Sequence, residues 1–178
     1  MVITFNMATL EILKYPDPRL RQVAKPVVEI TDETRKLAEA MAETMYANSG
    51  CGLAANQVGV DARIFVIDIA GEDEQSDLKV FINPEIVETV GVQTWEEGCL
   101  SFPGATEEIR RADRVKVRAT DQFGKPFELE ATGLMAIAIQ HENDHLNGVL
   151  MIDKLNALRR RLVSRKVSRQ LQEETSQS

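Results

Sequence analysis

Residues 132–148 read TGLMAIAIQHENDHLNG, and the organisation of the whole chain follows from this stretch. Thr132 is a helix-capping residue type, Gly148 is a stop signal, and Leu134, Ala138, His141 and His145 recur between them at helical spacing. The pattern predicts a helix from Thr132 to about Asn147 with one inward stripe that carries both histidines. His141-Glu142-Asn143-Asp144-His145 fits H-E-x-x-H. Residues four apart stack on one helix face, so both imidazoles can reach one metal ion. Glu142, one step round from His141, can reach a water on that ion without being a ligand. The chain has only two histidines, and both fall in this motif. A pair of histidines merely packed in a core is the competing reading, and the glutamate at the right offset stands against it.

Upstream of this helix the residues favour strands. Arg63–Ala70 (RIFVIDIA) is rich in branched side chains, and Gly71–Asp77 is an acidic turn. Lys79–Asn83, Glu85–Val90 and Val92–Glu96 read as three strands separated by Pro84 and Gly91. Val115–Thr120 and Pro126–Ala131 flank a hairpin turn at Asp121–Lys125. Residues 8–28, with Pro16, Pro18 and Pro26, are expected to be extended and irregular. A first helix is expected from Thr31 to about Asn48, capped by Thr31 or Asp32, with Leu37, Met41 and Met45 on one face. A last helix is expected from Asp153 to about Gln172. Together these predict a single α+β domain over residues 1–178: mixed or antiparallel strands around the central H-E-x-x-H helix, with helices on the N-terminal and C-terminal sides. Residues 1–7 read as an extension and 173–178 as a frayed tail.

Composition narrows the class. The chain has 178 residues, 43% hydrophobic and 28% charged, with 21 Lys+Arg against 28 Asp+Glu. That is a folded chain rather than a disordered one. Its longest apolar run, Gly133–Ile139, is far shorter than the ~20 residues that cross a bilayer. No basic residue precedes Lys14, so a secretory n-region is missing, and two cysteines make no disulfide framework. A cytoplasmic location without membrane attachment is the expectation.

Two histidines leave a catalytic metal one protein ligand short. One class of H-E-x-x-H protease puts a third histidine six residues after the second, but position 151 is Met151. Another uses a downstream glutamate, and here only Glu173 and Glu174 of the tail qualify. That leaves a cysteine, aspartate or glutamate from upstream. Cys99, in Glu97-Gly98-Cys99-Leu100-Ser101 just past a predicted strand, is the natural candidate, although an inert buried thiol is the commoner fate of a free cysteine. One thiolate and two imidazoles suit Zn²⁺, Fe²⁺, Co²⁺ or Ni²⁺.

Three separated motifs resemble the peptide deformylase family, bacterial type: Gly50-Cys51-Gly52-Leu53-Ala54-Ala55-Asn56-Gln57, Glu97-Gly98-Cys99-Leu100-Ser101 and Gln140-His141-Glu142-Asn143-Asp144-His145. The likeness runs from ATLEILKYPDPRL (residues 8–20) to the last helix. It implies a metal-dependent hydrolase that removes the formyl group from the formyl-methionine of new polypeptides and releases formate. It also implies Fe²⁺ as the native metal, with Zn²⁺, Ni²⁺ or Co²⁺ as substitutes, and a monomer. Carried over by position, Cys99, His141 and His145 bind the metal, which activates a water as the nucleophile. Glu142 is the general base and then the general acid, and Gln57 and the Leu100 N–H are the oxyanion donors. Gly52 offers backbone hydrogen bonds to the substrate. Leu134, Ile137 and Ala138 are expected to wall the methionine pocket, with Trp95 at its mouth. The chain departs from the family at Asn143, where an apolar residue is common, and in having no arginine between Cys99 and Arg110. Cys51 has no assigned role beyond an oxidation hazard if it lies near Cys99.

Charge is unevenly spread. Residues 1–153 carry 14 Lys+Arg against 26 Asp+Glu, whereas residues 154–169 carry seven basic residues and no acid. Leu155, Leu158 and Leu162 are expected to dock this segment on the body. Its charges either pair with the acidic body or attract ribosomal RNA. Two other functions compete with the deformylase reading. An endopeptidase requires a downstream third ligand, and a structural module requires a closed four-ligand site.

Overall fold

Alternating and branched residues pair here as antiparallel strands throughout. The computed structural model describes residues 9–71 and 73–178; the expected extension at residues 1–7, and position 72 of the acidic turn, lie outside them. In chain order the elements are α1 (Asp32–Ala47), β1 (Gly52–Ala54), β2 (Ile64–Ile67), β3 (Lys79–Val90), β4 (Gln93–Gly98), β5 (Thr106–Arg111), β6 (Arg114–Thr120), β7 (Pro126–Thr132), α2 (Gly133–Leu146) and α3 (Ala157–Ser176). Five strands form one sheet in the order β1-β2-β3-β6-β7, and β4 and β5 form a separate hairpin. The α+β expectation holds, with every pairing antiparallel.

Each helix is placed by local chemistry and then by burial. Thr31 and Thr34 cap α1 reciprocally, each hydroxyl accepting the other's backbone N–H at 3.1 and 3.4 Å. Met41 and Met45 are wholly buried and pack with Leu53, Ile64, Val66 and Ile82 under one end of the sheet. Helix α2 lies against the other side of β1 and β2, where Ala136, Ala138, Ile139 and Leu146 join Phe65, Phe81, Val115 and Val117. Gly148, at φ 69°, ends it, and a Cβ there would collide with the Arg21 carbonyl.

Several expectations are corrected. The single inward stripe on α2 is instead burial on nearly every side, from Ala136 to Ile139 and on to Leu146, because sheet and hairpin enclose it; Leu134 is only half-buried. Thr132 occupies the cap position but makes no side-chain capping bond. Lys79–Asn83 and Glu85–Val90 are one strand, not two. Pro84, which has no N–H to donate, falls in a register shift between Ile82 and Glu85, beside Asn83 at φ 51°. Strand β5, unforeseen because TEEIRR is almost wholly polar, buries alternate residues Glu107, Ile109 and Arg111.

The last helix starts later and runs further than expected. Residues Met151–Lys154 form a 3-10 turn, Asn156 caps α3 by accepting the Arg159 N–H at 2.9 Å, and 173–176 are helical rather than frayed. The docking stripe is corrected too. Leu158 and Leu162 are 67% and 44% exposed, while Val163 and Val167 are buried in the cluster with Leu13, Leu20, Phe102 and Ile109. Leu155 is buried but extended, ahead of the helix, so it does not set the helical phase.

Candidate active site

The close of the β4–β5 hairpin and the middle of α2 bring three soft or borderline donors together. Cys99 directly follows β4, and its sulfur lies 3.4 Å from His145 Nε2. His145 Nε2 in turn lies 3.2 Å from His141 Nε2, and the three donor atoms are all within 4.8 Å of one another. A tetrahedral ion at usual bond lengths separates two imidazole nitrogens by about 3.3 Å and a nitrogen from a thiolate by about 3.6 Å. The donor set therefore fits one divalent ion in both spacing and chemistry. Among the described residues these three form the cluster of metal-binding type. His145 is 1% exposed; its burial, with His141 and Arg111 nearby, lowers its pKa well below the usual histidine value, which keeps it neutral for coordination.

An outer layer fixes these donors. His141 Nδ1 lies 2.9 Å from Glu97 Oε2, a contact that leaves Nε2 to face the cluster. Burial alone would raise the Glu97 pKa, but bonds from His141 and Arg111 outweigh it and hold the carboxyl down at about 2. Arg111 grips both Glu97 oxygens, at 2.5 and 2.9 Å, and reaches Asp144 at 2.7 Å. Gln57, 1% exposed, is held by the Ala54 N–H on its Oε1 at 3.0 Å. Its Nε2 donates to Ser101 Oγ at 3.1 Å and faces the Cys99 sulfur at 3.6 Å.

Glu142 sits beside this cluster, 5% exposed, and its Oε2 finds no hydrogen-bond partner among the described residues. Burial pushes its pKa up to about 7, the range in which a carboxyl exchanges protons at neutral pH. It packs flush on Gly52, where a Cβ would lie 2.5 Å from Glu142 Oε1. The carboxyl opens into a cavity of about 540 Å³, of a size that takes a small ligand or peptide end. Gln57, Cys99, Leu100, His141 and Glu142 line it, as do the expected pocket residues Gly52, Leu134, Ile137, Ala138 and Trp95. His145 meets the other donors from behind this surface.

Three residues were not assigned from the sequence. Glu97 was visible inside the second motif but had no role there. Arg111 had no local signal, since its strand reads as polar. Lys14 lines the cavity and donates to the Leu100 carbonyl at 2.8 Å. Its neighbours Leu13 and Tyr15 tie the Gln57 and Ser101 carbonyls, so the irregular N-terminal segment props both motifs. Arg110, the first arginine after Cys99, is exposed and does not line the cavity. Cys51 is an exposed free thiol at the cavity edge, and Cys99 is free as well.

In sequence and in fold the chain is similar to peptide deformylases. A family model described as polypeptide deformylase matches residues 9–161. A peptide deformylase of Alkalilimnicola ehrlichii is 52% identical over 163 residues, 92% of this chain and 91% of that one. One from Chromobacterium violaceum is 50% identical over 92% of this chain and 96% of its own length. The crystal structure of a peptide deformylase from Legionella pneumophila superposes with a TM-score of 0.91 at 44% identity, covering 96% of this chain and 99% of that one.

Proposed function

The chain belongs to the polypeptide deformylase family, metal-dependent hydrolases that remove the N-formyl group from nascent polypeptides, and from that premise we propose how its residues divide the reaction. Cys99, His141 and His145 hold the metal. The convergence of their three donor atoms beside a buried, unpaired carboxylate oxygen is the observation that carries this reading. The ion, when bound, acts as a Lewis acid that makes water nucleophilic near neutral pH.

Glu142 takes a proton from the attacking water on its carboxylate and returns it to the nitrogen of the departing amine. The pKa of about 7 suits both halves of that exchange. Gln57 Nε2 and the Leu100 N–H donate to the formyl oxygen as negative charge builds on it, an oxyanion-hole arrangement. The bond from Ala54 to Gln57 Oε1 supports this, because it turns Nε2 toward the cluster. Gly52 offers its backbone to the peptide, and Leu134, Ile137 and Ala138 accept the methionine side chain, with Trp95, 41% exposed, at the mouth.

We take Fe²⁺ as the native metal, with Zn²⁺, Ni²⁺ and Co²⁺ able to replace it, since one thiolate and two imidazoles accept all four. The protein works as a monomeric domain in the cytoplasm, where a free thiol ligand stays reduced. No helix among the described residues is long and apolar enough to cross a membrane. The basic segment 154–169 contacts ribosomal RNA. Arg159 and Lys154 pair with Glu107 and Asp144, but Arg161, Arg165, Lys166 and Arg169 make no ion pair with the described residues. Salt-sensitive cosedimentation with ribosomes, lost on deleting residues 154–178, tests that contact. Formate release from a short formyl-methionyl peptide, by anaerobically purified protein of known metal content, tests the chemistry. Turnover should vanish in Glu142→Gln while the metal stays. Full turnover in that variant would refute the assignment.

A further inference from the structure

Arg111 makes three ties inside the protein with a side chain that is 3% exposed. Its Nε and Nη2 donate to the two oxygens of Glu97, at 2.5 and 2.9 Å, and its Nη1 donates to Asp144 Oδ2 at 2.7 Å. Glu97 Oε2 is also the atom 2.9 Å from His141 Nδ1. Asp144 is the residue before His145, on the same helical turn, and Lys154 reaches its Oδ2 at 3.2 Å. One guanidinium thus bonds both to the carboxylate that sets one imidazole and to the helical turn that carries both.

We propose that Arg111 is a positioning residue for the metal centre, a fork that locks the β4–β5 hairpin, which delivers Cys99, to the helix that delivers both histidines. The inference rests on the reading that Cys99, His141 and His145 hold the ion. It concerns geometry rather than charge alone. A planar guanidinium presents donors in fixed directions and can bridge two carboxylates, whereas an ammonium is a point charge that cannot reproduce the fork. Without the fork Glu97 is free to swing, the His141 ring loses its fixed orientation, and the sulfur and the two nitrogens no longer hold their spacing.

The test is the rate at which a chelator removes Co²⁺ or Zn²⁺ from the folded protein, compared for wild type, Arg111→Lys, Arg111→Met and Asp144→Asn. Loss of a residue that orients metal ligands typically weakens binding roughly 10- to 100-fold, and release should accelerate by that order in both Arg111 variants. Arg111→Lys, which keeps the charge, should not rescue it. In metal-saturated protein kcat should fall while KM stays near wild type, because the methionine pocket is untouched. Asp144→Asn, isosteric and partly exposed, takes the charge out of the tie to the helix and out of the Lys154 pair while leaving the Arg111–Glu97 fork, and should give a smaller acceleration. It decides the matter if the Arg111 variants do not fold. Wild-type release rates in Arg111→Lys, or in Asp144→Asn where that variant must decide, would overturn the positioning role. A wild-type protein that binds no stoichiometric metal would instead overturn the ligand assignment, and this inference with it.

Discussion

Gly52→Ala is a sharp probe of the catalytic carboxylate. Gly52 opens strand β1 in an ordinary extended conformation, so alanine brings no backbone strain. What it brings is a Cβ placed 2.5 Å from Glu142 Oε1 and 3.0 Å from both Cδ and Cγ of that side chain. Ordinary contact for such atoms begins near 3.4 Å, so the carboxylate end must retreat by between about half and one ångström. Glu142 is 5% exposed and its carboxyl opens into the cavity, so the retreat carries it away from the position it holds against Gly52. A displacement of about 1 Å at a reacting group costs on the order of a hundredfold in rate. We therefore expect kcat for formate release to fall roughly 30- to 100-fold, with metal content unchanged and thermal stability altered little, since the yielding atoms end a flexible side chain. The assay is formate release at saturating formyl-methionyl peptide, paired with metal analysis and a thermal melt. A Gly52→Ala protein with full metal and kcat within twofold of wild type would refute the idea that Glu142 must occupy this position.

Other perturbations separate chemistry from stability. Gln57→Leu, which keeps the buried volume, should lower kcat by about 10²- to 10³-fold with metal retained, the usual cost of one oxyanion donor; an unchanged kcat would remove Gln57 from that role. Burial alone would raise the Asp68 pKa, but bonds from Tyr46, Ser76 and the Ala70 and Asp77 amides hold it at about 2. Its folded pKa lies below the unfolded 3.8, so the stability it contributes is intact above about pH 5 and is lost as pH falls toward 2. Asp68→Asn should accordingly cost about 1–2 kcal/mol at pH 7, and the difference in urea midpoint from wild type should shrink at pH 3. On α3, Val163→Ala should cost about 2 kcal/mol by opening a core cavity, whereas Leu158→Ala should stay within about 0.5 kcal/mol. Equal costs at the two sites would contradict the helical phase described above.

The parts of the site that could be read from the residues are those whose geometry is local. The spacing of His141 and His145 places both rings on one face wherever the helix goes, and Glu142 follows from the same turn. Glycine and proline marked most element boundaries for similar reasons. Pro84 misled, because a missing N–H breaks a strand only when nothing accommodates it, and here a register shift in the pairing with β6 does.

Pairing across the chain was out of reach of such reasoning. Nothing near Arg111 says that it is buried. Its partners are 14 and 33 residues away, and only their convergence makes burial of a guanidinium tolerable. Lys14 reaches the cavity because an irregular segment is threaded past Gln57 and Ser101, which no periodicity encodes. The face that α3 presents follows from the Asn156 cap and the surface it lies on, so Val163 and Val167 are buried and the leucines are not. By itself the sequence determined the donor types, the local spacing of H-E-x-x-H and the order of the three helices and most of the strands, because these depend on neighbours along the chain. Tertiary structure alone decided which charges are buried, how the hairpin is locked to the helix and which face of the last helix is exposed, because each requires a partner distant in sequence.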